Sequence, residues 1–352
     1  MNSLLNRSMK IFGLVCLNFI LINAVFSQTV EPRLLELRKQ YAENYLKPEA
    51  HFALARYHLE KGNKHQAFFI MEFARRYKFP EKIFDEAFIK FFNYNQVEPN
   101  VEAKAAFDKG YELLNQKKLD AAAQSFMTAA NLDPKSASIQ TWVGRFFYKA
   151  KPDNTLALKY YFNAYFLDPH AYETEFVESR VRNISLAEAD VRFAELIKSG
   201  RTLTEISTDA NPLIVGKAIE QMAKQWKNEY NNALFACLDN DDDTIRWNAF
   251  EVIIKNAGAS IDERISALLN SPDLRKQGLA AYALVEFQKE KSFEILKKML
   301  ADKAELIRFD AVSALVLKGG EKGMEILREH KKTEPSPLLK QLIDQTLQNK
   351  LR

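Results

Sequence analysis

The chain has 352 residues and a net charge of +4 from 50 basic and 46 acidic residues. Its basic residues are scattered, without the dense stripe that neutralising phosphates requires, which sets nucleic acid aside as a partner. With 47% apolar residues and only 11 glycines and 11 prolines, it suits a mostly helical protein and excludes long disorder, since helix interiors reject both residues. Its length exceeds one ordinary core, so two domains or a repeat array is expected.

In residues 1–27, Arg7 and Lys10 precede an apolar run from Ile11 to Phe26, and Val25 and Ser27 place small side chains before Gln28. This resembles a secretory signal peptide, implying a periplasmic, cell-surface or secreted protein. The run is shorter than the roughly 20 residues that cross a bilayer. No stable membrane span is therefore expected after cleavage; the alternative is an anchor formed by an uncleaved N-terminal helix. Cleavage would remove Cys16, leaving Cys237 without a disulfide partner, and the context ALFACL predicts a buried thiol.

From Pro32 to Tyr45 the spacing predicts a helix with Leu34, Leu35, Leu37 and Tyr41 on one side, read as a cap. Three related stretches follow. The clearest, Val101 to Pro134, has small residues at Gly110, Ala122 and Ala129 and bulky ones at Tyr111, Leu113, Leu114, Leu119 and Phe126. That pattern predicts two helices packed antiparallel with small residues at the crossings. In the next copy Gly144, Ala157, Tyr161, Ala164 and Pro169 match Gly110, Ala122, Phe126, Ala129 and Pro134, with one extra residue in the turn 151–154. The first copy has Ala55 for the glycine, then Ala67 and Ala74, with Pro80 one place late. Between copies, Glu81 to Asn95 reads as an inserted packing helix rich in phenylalanine. On these positions the segment 49–171 resembles tetratricopeptide repeats.

Ser185 and Glu188 have the spacing of a capping box, with Gly200 placed to end that helix. Beyond Thr202 a second ladder begins: Ala218, Ala249, Ala280 and Ala311 recur every 31 residues, accompanied by Met222, Ile253, Leu284 and Leu315 and by Leu238, Leu269 and Leu300. Each unit reads as a helix, an acidic turn and a second helix. Ile245-Arg246 and Ile307-Arg308 supply an apolar-arginine pair. The middle unit carries Gln277 there and Leu274-Arg275 two places earlier. Asn211-Pro212 caps an earlier unit, and Pro337 to Leu351 reads as a closing helix. This segment resembles short HEAT repeats of the kind also found in phycobilin-lyase-like proteins. The expected fold is an all-α double α-solenoid: a signal peptide over 1–27, a tetratricopeptide-like domain over 28–171, connecting helices over 172–201 and a HEAT-like domain over 202–352.

Chemistry is sparse. His51, His58 and His65 are spaced by seven, but the third lies beyond Gly62 and neither a cysteine nor a carboxylate pair joins them, so core or groove roles are expected rather than metal. Asp239, Asp241, Asp242 and Asp243 lack the glycine-bearing loop and distal glutamate of a calcium site and read as a solvated helix-cap turn. With no phosphate-binding glycine loop, nucleophile elbow or HExxH, no catalytic residue, cofactor or metal is expected. What remains is surface. The tetratricopeptide resemblance implies that first helices line a concave groove, presenting Phe52, Arg56 and Glu60, then Lys104, Phe107, Tyr111 and Asn115, then Thr141, Arg145, Tyr148 and Lys149. Such residues suit an extended or helical peptide of some acidic character. The expected function is a non-catalytic protein-interaction scaffold in a bacterial envelope. A phycobilin-lyase-like enzyme or chaperone and a rigid spacer are the alternatives.

Overall fold

The computed structural model describes residues 31–92, 99–168, 174–256, 261–287 and 289–349. The signal-like segment 1–27 lies outside them, as do Asn93 to Asn95 of the inserted helix and the last residues of the closing one. Among the described residues there is no strand, and no helix is long and apolar enough to cross a membrane. The chain is an all-α solenoid of helices packed in consecutive pairs.

The first array comprises α1 (Pro32–Glu43), α2 (Pro48–Glu60), α3 (Lys64–Phe73), α4 (Glu81–Phe92), α5 (Val101–Asn115), α6 (Leu119–Leu132), α7 (Ala137–Lys149) and α8 (Asn154–Leu167). Its close crossings are made by glycine against a ring. A Cβ on Gly110 would stand 2.8 Å from the Phe126 ring, and one on Gly144 would stand 2.8 Å from the Tyr161 ring. The late proline of the first copy has a backbone cause. Residues Ala74–Lys78 form a π-helical turn, which accommodates one extra residue before Pro80. The extra residue of the third copy sits in the turn before α8, whose N-cap Asp153 accepts from Leu156 N.

The connecting segment is one helix, α9 (Thr174–Lys198), rather than several. The capping box expected at Ser185 does not form. Val177, Val181, Ile184, Ser185 and Ala189 are all buried on one continuous helical face, so the helix runs straight through. Its end is as expected: Gly200 has φ +85°, a left-handed conformation that glycine adopts without strain. The true capping box lies two residues further on, where Thr202 and Glu205 cap the single turn α10 (Leu203–Ile206).

The second array continues with α11 (Pro212–Lys224), α12 (Tyr230–Cys237), α13 (Asp243–Asn256), α14 (Ile261–Leu269), α15 (Leu274–Phe287), α16 (Lys289–Leu300), α17 (Glu305–Lys318), α18 (Gly320–His330) and α19 (Pro337–Asn349). Ala218, Ala249, Ala280 and Ala311 of the 31-residue ladder are fully buried, as are Met222, Ile253, Leu284 and Leu315; of the accompanying leucines, Leu238 and Leu300 are buried and Leu269 is half-buried. The turns repeat too. The side chains of Asp209, Asn240, Ser271 and Asp302, each 31 residues apart, accept from the backbone N–H two residues on. Arg246, Gln277 and Arg308 each donate to the carbonyl six residues back, that of Asn240, Ser271 and Asp302. Gln277 therefore closes its turn as the arginines do, and the middle unit is regular in structure. Cys237 is buried, as expected, and burial pushes its thiol up to about 12.

One feature departs from two arrays in line. Helix α1 packs against α15 and α17 of the second array as well as against α2. It is a seam between the arrays rather than a terminal cap.

Candidate binding surface

The seam is assembled by the acidic turn after Leu238. Asp241 accepts from Arg38 Nε at 2.7 Å, from His58 Nε2 at 3.0 Å and from Arg275 Nη1 at 2.5 Å. Arg38 also donates to the carbonyl of Asp239, and Asp243 accepts from the hydroxyls of Tyr41 at 2.7 Å and Tyr45 at 3.1 Å. Leu46 N donates to Glu305. Asp241 and Asp242 are only 5% and 7% exposed, so the expectation of a solvated turn is corrected. Asp242 does cap α13, accepting from Thr244 N and Ile245 N, while Asp241 faces the first array. Burial pushes the Asp241 carboxyl up, but His58, Arg275 and Arg38 outweigh it and hold it far below the usual carboxylate range. Arg275, the out-of-register arginine, is 1% exposed because it binds both Asp241 and Asp273. The histidines do not converge. His51 is buried against Tyr45 O, His58 is in the seam and His65 packs edge-on to Phe162.

The expected groove divides in two. Its first part is covered. Phe52 is fully buried among Phe84, Phe88, Phe91 and Phe92 of α4, with ring centroids 5.0 to 5.8 Å away. Arg56 lies 4.2 Å over the Phe91 ring and donates to its carbonyl, and Glu60 is paired with Arg33. Phe52 and Arg56 are thus packing residues: the inserted helix occupies the face they were expected to present.

The second part is open. Lys104, Tyr111 and Asn115 of α5 are exposed, Phe107 is half-buried, and Lys149 of α7 is exposed. Thr141 is buried, a correction, and its neighbour Trp142 takes the outward position at 42% exposure beside Tyr111 at 46%. Trp142 lies edge-on to both Phe107 and Tyr111 at about 6.3 and 6.4 Å. From there a ladder of stacked cations and rings runs across to α9. The Arg145 guanidinium lies 4.7 Å from the Trp142 ring and 4.9 Å from Phe176, and Arg180 lies 4.9 Å from Phe176 and 4.7 Å from Tyr148. Arg180 also donates to the Tyr148 hydroxyl at 3.0 Å.

Trp142, Phe176 and Arg180 are absent from the residues expected from sequence. On α7 the outward position falls on Trp142 instead of Thr141, while Arg145, Tyr148 and Lys149 stay on the expected face. Phe176 and Arg180 precede Ser185, where the helix had been expected to begin. A run of arginines held over rings is a surface with little side-chain freedom left to lose on binding. Among the described residues, no group of three or more His, Cys, Asp or Glu converges as a metal site would require.

A sequence model of HEAT repeats matches residues 261–348, from α14 to α19. No curated protein matches the chain.

Proposed function

We propose that the protein is a non-catalytic interaction scaffold that binds a protein partner through the aromatic and cationic strip from Tyr111 and Trp142 to Arg180. One observation carries the reading: two large exposed aromatics stand beside arginines already stacked in place, the composition found at the energetic centres of protein interfaces. HEAT repeats, matched here over 261–348, are generally protein-interaction scaffolds, which supports a protein partner. The first array serves as a tetratricopeptide-like peptide receptor, and Arg145, Lys149, Lys104 and Arg180 favour a partner segment with acidic character. The signal-like sequence of residues 1–27 supports a place in the envelope of a bacterium or outside the cell.

The test is affinity capture from an envelope fraction with the full chain and with a Tyr111→Ala, Trp142→Ala, Arg145→Ala variant. The reading predicts proteins retained by the wild type and lost by a variant whose thermal unfolding is nearly unchanged. Equal retention by both would refute the strip as the binding surface.

A further inference from the structure

Where α1 leads into α2, the seam borders a half-open cavity of about 240 Å³ against α13, α15 and α17. Its walls are two edge-to-face aromatic pairs, Trp247 with Tyr282 at 4.4 Å and Tyr45 with Phe309 at 5.1 Å. Most charges around it are matched. Asp243 holds Tyr41, Tyr45 and Arg246, and Arg275 holds Asp241 and Asp273. Asp310 differs. It lines the cavity, is 8% exposed and accepts no hydrogen bond among the described residues. It also lies directly against Gly278, where any Cβ would collide with its carboxylate.

A buried carboxylate without a donor is costly, and persists where something supplies one. Lys78 and Arg246 act on Asp310 only through space, and the buried Lys78 Nζ makes no hydrogen bond and rests on the rings of Tyr45 and Phe309. Burial holds the Lys78 amine well below its ordinary range, so these walls already seat one amine nitrogen over their rings. An engineered cavity of about 150 Å³ takes a benzene, so this one has room for a ring bearing a short charged arm. We propose that the cavity binds a small organic ammonium ion, its N–H groups donating to Asp310 and its apolar body enclosed by Trp247, Tyr282, Tyr45 and Phe309. This site is independent of the strip on α5, α7 and α9.

Calorimetric titration of the full chain with benzylammonium, benzyl alcohol and benzoate tests it. The expected result is binding of the ammonium at least about tenfold tighter than its neutral and anionic analogues, with a loss of about tenfold or more in Asp310→Asn. Lys78→Met, which removes the amine already lying over the Tyr45 and Phe309 rings, should tighten binding several-fold. Trp247→Ala, at the half-exposed wall, should weaken it and serves if Asp310→Asn does not fold. The proposal is overturned if benzoate or benzyl alcohol binds as well, if no ammonium binding is seen at millimolar concentration, if folded Asp310→Asn or, in its place, Trp247→Ala keeps wild-type affinity, or if Lys78→Met abolishes binding.

Discussion

The two arrays pack helix against helix by different means. In the first, a glycine lets a ring of the next helix reach the backbone, as Phe126 does at Gly110 and Tyr161 at Gly144. In the second, alanines set the spacing and polar side chains staple each turn, with Asn240, Ser271 and Asp302 bonding forward and Arg246, Gln277 and Arg308 bonding back. The first device leaves first-helix faces free to carry Tyr111 and Trp142 outward. The second places a carboxylate at every turn and arginines at the later ones, and one such turn, that of Asp241, becomes the seam. Packing chemistry thus decides which array offers an open surface and which one receives the other.

The largest effect should come from Asp241→Ala. It removes the carboxylate that Arg38, His58 and Arg275 share in a buried site, and breaking such a network from one side costs about 3–5 kcal/mol. Urea unfolding would measure it, and a loss below about 1 kcal/mol would reduce the seam to an incidental contact. Next come Gly110→Ala and Gly144→Ala, each forcing a Cβ into a ring and costing about 1–3 kcal/mol in the first array.

Asp310 gives a pH effect of known sign. Burial raises its carboxyl to about 7, above its unfolded value, so its contribution favours folding at low pH and is lost as pH rises through about 7. Between the unfolded value and about 7 the slope approaches about 1.4 kcal/mol per pH unit. Asp310→Asn should flatten the fall in stability between pH 5 and 8 seen by thermal unfolding, and an unchanged profile would contradict the assignment. The smallest effect is that of Gln277→Ala, which removes one turn staple at about 1 kcal/mol. Gln277→Arg should restore it, since arginine fills the equivalent positions 246 and 308.

Much of this fold was legible in the chain because repeats advertise themselves by period. The 31-residue alanine ladder fell on fully buried positions, and the glycine-to-ring pairing of residues 110 and 126 recurred at 144 and 161. Even the late Pro80 had a local meaning, the π turn at Ala74–Lys78. The seam left no such trace, since Arg38 and Asp241 are 203 residues apart and neither belongs to a periodic pattern. The strip was half visible. Tyr111 and Arg145 followed from the packing residues opposite them, but Thr141 and Trp142 are neighbours on adjoining faces and only the packed helix tells which one turns inward. Phe52 and Arg56 had the groove pattern and lost the role to α4, whose phenylalanines cover them.

Hydrogen exchange of the intact chain tests the central claim, that the seam joins the two arrays, most directly. In the wild type, α1, α2 and the turn 239–246 should open together with one free energy, and in Asp241→Ala both sides should lose protection while α5 to α8 keep theirs. If α1 and α2 exchange independently of the turn in the wild type, or stay protected in the variant, the arrays are not joined through Asp241.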